Sequence, residues 1–150
     1  MINEKPSLTI VRRIKAPPAR VYAAWTRPEL MARWWGPDGG PVLSTESDPR
    51  VGGRFRVVFQ TLDGETHDCS GEYQEVELDR KLVFTWRWVT LPERQSLVSI
   101  RFRPVEEGSE LTFTHSQFFD EAARDGHQIG WTGSFEKLEA LLAELESAQT

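Results

Sequence analysis

The chain has 150 residues, 39% hydrophobic and 27% charged, which is enough apolar content to bury one core and too much for a disordered segment. Its formal net charge of -5 argues against a general nucleic-acid binder, which needs a clustered Lys/Arg surface. The single cysteine, Cys69, excludes an internal disulfide, and no Cys/His spacing marks a zinc site or calls for a metal or other cofactor.

Residues 8–14 alternate weakly, with Leu8, Ile10, Arg12 and Ile14 on one side, and stop at Ala16-Pro17-Pro18, which reads as an edge strand. Pro18 can open a helix carrying Val21, Tyr22 and Trp25 at helical spacing, and Pro28 a second short one with Leu30, Met31 and Trp34. The turn-rich run Gly36-Pro37-Asp38-Gly39-Gly40 then introduces strands that continue to about Gln117. Residues 42–46 form a short one. Residues 53–61 put Phe55, Val57 and Phe59 on one face, and Asp63-Gly64 predicts an antiparallel hairpin to 67–77. Residues 82–88, with Leu82, Phe84, Trp86 and Trp88 on one parity, 97–103 and 111–115 complete a meander of five consecutive strands.

The period then changes. Trp131, Phe135, Leu138, Leu142 and Leu145 form an apolar stripe on a helix over about 127–147. At 1.5 Å per residue this helix is about 30 Å long, enough to cross the sheet and act as its main cover. Glu144 and Glu146 oppose its dipole, so the last turn is expected to fray. The order of elements predicts an α+β fold in one domain over residues 1–150, with an ordered core at about 8–147. In it a curved antiparallel sheet of six to seven strands wraps the long C-terminal helix, and two short helices follow the first strand.

Six Trp, two Tyr and eight Phe exceed what one small core needs, so some should face a cavity. The candidates are Trp34 and Trp35 at the mouth, Phe55, Phe59, Phe84, Trp86, Trp88, Phe102 and Phe113 from the sheet, and Trp131 and Phe135 from the helix. The competing reading is a solid aromatic core. His115 shares the parity of Phe113 and could place a titratable ring in that apolar space, as a hydrogen-bond anchor or a general base, unless it is a satisfied inner histidine. His67 is expected to be exposed, and His127 to cap the helix start or face solvent. Asp120, Glu121 and Asp125 can reach His115 only if the loop before the helix folds back. Gly130 and Gly133 each cost a helix about 1 kcal/mol, which points to a close approach of another element, room beside Trp131, or a locally loosened first turn. Arg50, Arg54, Arg56, Arg101 and Arg103 read as the solvated face of the sheet.

Five motifs occur together: the 25–35 segment ending in Trp34-Trp35-Gly36, Val51-Gly52-Gly53, Gly71-Glu72-Tyr73-Gln74-Glu75-Val76, Leu82-Val83-Phe84-Thr85-Trp86, and His127-Gln128-Ile129-Gly130-Trp131. In this order they resemble the family homologous to the C-terminal domain of the activator of heat-shock protein 90 ATPase, within the START-like (SRPBCC) helix-grip superfamily. The resemblance spans about Leu8 to Leu145. It implies a helix-grip fold and binding of a small hydrophobic or amphipathic ligand in an internal cavity. The alternatives it carries are a chaperone-associated interaction module, and a cyclase-like or hydrolase-like enzyme with a histidine base. The second, chaperone-binding domain of the eukaryotic activators is not expected within these 150 residues. No catalytic signature is present, and neither a basic, apolar leader nor a run of 18 apolar residues occurs, so a cytoplasmic monomer without membrane insertion is expected.

Overall fold

The computed structural model describes residues 5–147. Strand β1 (Leu8–Ile14) is followed by helices α1 (Pro18–Thr26) and α2 (Pro28–Trp34). Six strands come next: β2 (Val42–Ser47), β3 (Arg54–Gln60), β4 (Thr66–Glu77), β5 (Lys81–Trp88), β6 (Ser96–Val105) and β7 (Gly108–Ser116). Helix α3 (Glu121–Ser147) closes the chain. All strands pair antiparallel in the order β1-β7-β6-β5-β4-β3-β2, a helix-grip arrangement. The meander is one strand longer than expected, because β2 pairs with β3.

Alternation fixes the inner face. Leu8, Ile10 and Ile14 are buried, and Arg12, on the same parity, reaches past the core to Glu139 of α3 at 3.6 Å. The β3–β4 hairpin closes where Thr61 N–H donates to Glu65 O at 3.0 Å, with Gly64 at φ +87°, a conformation that suits glycine. In β5 the residues from Leu82 to Trp86 are all buried, so both parities are covered there. A Cβ on Gly71 would lie 1.7 Å from Thr85 O, so only glycine lets β4 press this closely on β5, beside the β4 bulge at 73–75.

Helix α3 starts at Glu121 rather than at 127. Asp120 Oδ1 accepts the Ala123 N–H at 2.8 Å, a side-chain cap, and Glu121 places a negative charge in the first turn. At the other end α3 is helical through Ser147, the predicted end. Arg20 of α1 meets Glu146 at 2.6 Å and Arg33 of α2 meets Glu144 at 2.9 Å, supplying the positive charge that the helix end itself lacks. The core centres on Trp25, whose ring lies 4.6 Å from that of Trp34, 5.8 Å from Phe113 and 6.0 Å from Phe135. Among the described residues, no helix is long and apolar enough to cross a membrane.

Candidate functional site

The two halves of α3 carry different side chains. From Trp131 onward the inner positions are large: Trp131, Phe135, Leu138 and Leu142 are buried. Before it they are Ala122, Ala123, Gly126 and Gly130, which leave space between helix and sheet. That space is a cavity of about 420 Å³, walled by Trp35, Phe59, Trp86, Trp88, Phe118 and Trp131. Its rim is formed by Leu91 and Arg94 from the β5–β6 loop and by Phe119, whose ring lies 3.9 Å beneath the Arg94 guanidinium carbon.

The 35–38 loop closes one side and is clamped to α3. Ser134 Oγ donates to Gly36 O at 2.8 Å, and Lys137 Nζ donates to Trp35 O at 3.0 Å and Asp38 O at 2.6 Å. Burial lowers the Lys137 pKa, and the nearby Asp38 charge opposes that shift. The Asp38 carboxylate accepts the backbone N–H groups of Leu62 and Gly40, which hold its pKa down and tie the loop to the β3–β4 hairpin. A Cβ on Gly133 would lie 2.2 Å from Pro37 O. The helix glycine therefore marks a close approach of this loop.

All three histidines gather here. His115 is fully buried, and its Nδ1 accepts the Trp131 indole N–H at 3.0 Å. Indole nitrogen only donates, so the proton of the neutral ring sits on Nε2, which donates to Ser96 Oγ at 2.7 Å; that hydroxyl donates onward to Trp86 O at 3.4 Å. Burial, and secondarily the neighbouring His127, lowers the His115 pKa well below its ordinary value. His127 is fixed in the opposite tautomer: Nδ1 donates to Ala123 O at 2.7 Å and Nε2 accepts the Trp88 indole N–H at 3.0 Å. Burial lowers its pKa too, against the opposing Ala123 carbonyl bond. His67 stacks on Phe59 at 5.2 Å, and its Nε2 lies 3.1 Å from Thr61 Oγ1. One polar atom of the wall is unsatisfied: the buried Trp86 Nε1 has no hydrogen-bond partner among the described residues.

Residues 15–143 match the family described as Activator of Hsp90 ATPase homolog 1-like protein. The chain belongs to that family. Two structures with a TM-score of 0.82 and 28% identity are similar to it. One is a protein from Chromobacterium violaceum, covering 91% of this chain and 97% of the other. The second is an AHSA1 protein from Silicibacter pomeroyi, covering 92% and 98%. A protein from Rhodobacter sphaeroides matches with a TM-score of 0.80 and 26% identity over 93% of both chains. No curated protein matches the chain.

In this AHSA1-like chain, five of the expected residues line the cavity: Trp35, Phe59, Trp86, Trp88 and Trp131. The other seven lie outside its walls, packed into the core. Trp34 donates its indole N–H to Ala24 O at 2.8 Å. Phe84 fills the gap between Phe55, at 5.0 Å, and Tyr73, at 5.8 Å, and Phe102 packs edge-on to Tyr22 at 5.6 Å. Phe113 and Phe135 meet at 5.3 Å under α3, and His115 lies behind Trp131 with both nitrogens engaged. Asp120 caps α3 instead of turning back to His115. His67, expected to be exposed, and His127, expected to cap the helix start or face solvent, are half-buried wall residues. Cys69 is fully buried, and burial pushes its thiol pKa up. Sequence reading singled out Gly130 but missed Phe118, Phe119, Leu91, Arg94 and, on α3, Ala122, Ala123 and Gly126. The signal for the α3 residues was Asp120 followed by Glu121, a helix start that would have placed Ala122 to Gly126 on α3. Among the described residues, no group of three or more His, Cys, Asp or Glu side chains could hold a metal ion.

Proposed function

We propose that this AHSA1-like protein binds a small hydrophobic or amphipathic molecule in the cavity beneath the first half of α3. The observation that carries the reading is the cavity itself: about 420 Å³ within a fold that packs aromatic rings densely everywhere else, and within the range of about 300–1,000 Å³ common for ligand pockets. Small side chains on α3 keep it open and broad ring faces wall it, a surface suited to apolar contact. The other roles draw less support. The expected base, His115, has both nitrogens engaged and lies outside the cavity walls, and on the outer sheet face Arg56 and Arg103 are already paired with Asp68 and Glu110.

The test is nuclear magnetic resonance of the six indole N–H groups while a panel of fatty acids, sterols and fused-ring aromatics is titrated. The Trp86, Trp88 and Trp131 signals should move with a subset of the panel. If none of the three responds to any member, the reading is abandoned.

A further inference from the structure

The polar groups that border the cavity are unevenly assigned. No carboxylate lines it, and Arg94 is its one formally charged residue among those described. The hydroxyl protons are spent inside the protein: Thr61 donates to Asp63, Ser96 to Trp86 O and Ser134 to Gly36 O. His127 has both nitrogens occupied, and Nε2 of His67 is engaged with Thr61 Oγ1. One donor group is left over, at the rim. Arg94 sits at the rim, and among the described residues its guanidinium has no carboxylate partner, only the face of Phe119. A guanidinium stacked on a ring keeps its in-plane N–H groups free, and they suit a carboxylate or sulfonate.

From this inventory we infer that the cavity selects an anionic aromatic amphipath, a fused-ring or aryl acid whose rings lie among Trp35, Trp86 and Trp131 and whose acidic group meets Arg94 at the rim. The inference rests on the cavity-binding reading and adds the charge and the polarity of the ligand. A neutral molecule of the same shape would gain the ring contacts and leave Arg94 unused. A cation would meet the Arg94 charge and no carboxylate.

The test uses two dyes that differ only by a sulfonate: 1-anilinonaphthalene-8-sulfonate and neutral N-phenyl-1-naphthylamine. Dissociation constants are measured for the full chain, for Arg94→Gln and for Arg94→Lys, with the Trp86 indole N–H signal reporting that each dye sits in the cavity. The sulfonate dye should bind about three- to fivefold more tightly than the neutral one, the size expected for a partly exposed ion pair. Arg94→Gln should weaken the sulfonate dye until that preference disappears. Arg94→Lys should restore most of it, and added salt should narrow it. If both dyes move the Trp86 signal with equal affinity, or the preference survives Arg94→Gln, the inference is overturned and cavity binding stands. If neither dye moves the Trp86 signal, cavity binding by this class falls, and the inference with it.

Discussion

The indole N–H of Trp131 donates to Nδ1 of His115 at 3.0 Å, and this bond fixes the tautomer of a fully buried imidazole. Protonating the ring would point an N–H from Nδ1 at the N–H of Trp131, two donors face to face. The helix and the sheet are thus held together by a histidine that must remain neutral.

Stability should therefore depend on pH. His115 and His127 both have folded-state pKa values below the ordinary histidine value, burial being the main cause. In the unfolded chain each ring takes up a proton near about pH 6.5, whereas in the folded chain it does so only at lower pH. Below that point the unfolded state binds more protons, so stability is full at neutral pH and falls as the pH drops. The limiting slope is about 1.4 kcal/mol per pH unit for each ring. Urea melts between pH 8 and 5, above the carboxylate range, should show this slope, and His115→Asn should remove roughly one proton from it. A flat profile in the parent protein would refute the account.

Removing the acceptor should cost stability directly. His115→Phe retains a ring but leaves the Trp131 N–H without its buried partner, a loss of about 1–3 kcal/mol at neutral pH by chemical denaturation. The Trp131 indole proton should shift upfield. An unchanged midpoint would show that the bond contributes nothing.

Two glycines of α3 should respond oppositely. Gly133→Ala drives a methyl into Pro37 O, a backbone atom pinned by the Lys137 clamp, and should destabilise by about 1–3 kcal/mol. At Gly126 an added Cβ meets nothing within 4 Å, so Gly126→Ala should gain up to about 1 kcal/mol of helix propensity. Equal effects of the two in a thermal melt would contradict this geometry.

The end of α3 should depend on its arginine partners. A double-mutant cycle on Arg20 and Glu146 should give a coupling below about 1 kcal/mol that weakens with salt, since both side chains are about one-third exposed. Amide exchange at 143–147 should quicken in Arg20→Ala, and an unchanged rate would place the cause of order elsewhere.

Strand parity revealed which side chains face inward, but not which of those face the cavity. Phe84 and Trp86 share a parity on β5 and are both buried, yet only Trp86 reaches open space, because the line where α3 changes from glycine and alanine to tryptophan crosses the strand between them. That crossing is set by where a helix lies along the strand, which alternation does not encode. The start of α3 was obscured for a related reason. Ala122, Ala123 and Gly126 give no hydrophobic stripe, and that same smallness makes the cavity. Arg94 and Leu91 sit on a loop, where no period marks a facing direction.

The tryptophans have an optical consequence. Each of the six lies within 6.2 Å of another, linking Trp34, Trp25, Trp35, Trp131, Trp86 and Trp88 into one connected set. At such separations excitation absorbed by one ring migrates among its neighbours before it is emitted, so the set behaves as a single, strongly depolarised chromophore. A quencher resting on Trp86 would darken rings that it never touches. Emission intensity would then count occupied molecules well and identify the contacted ring poorly.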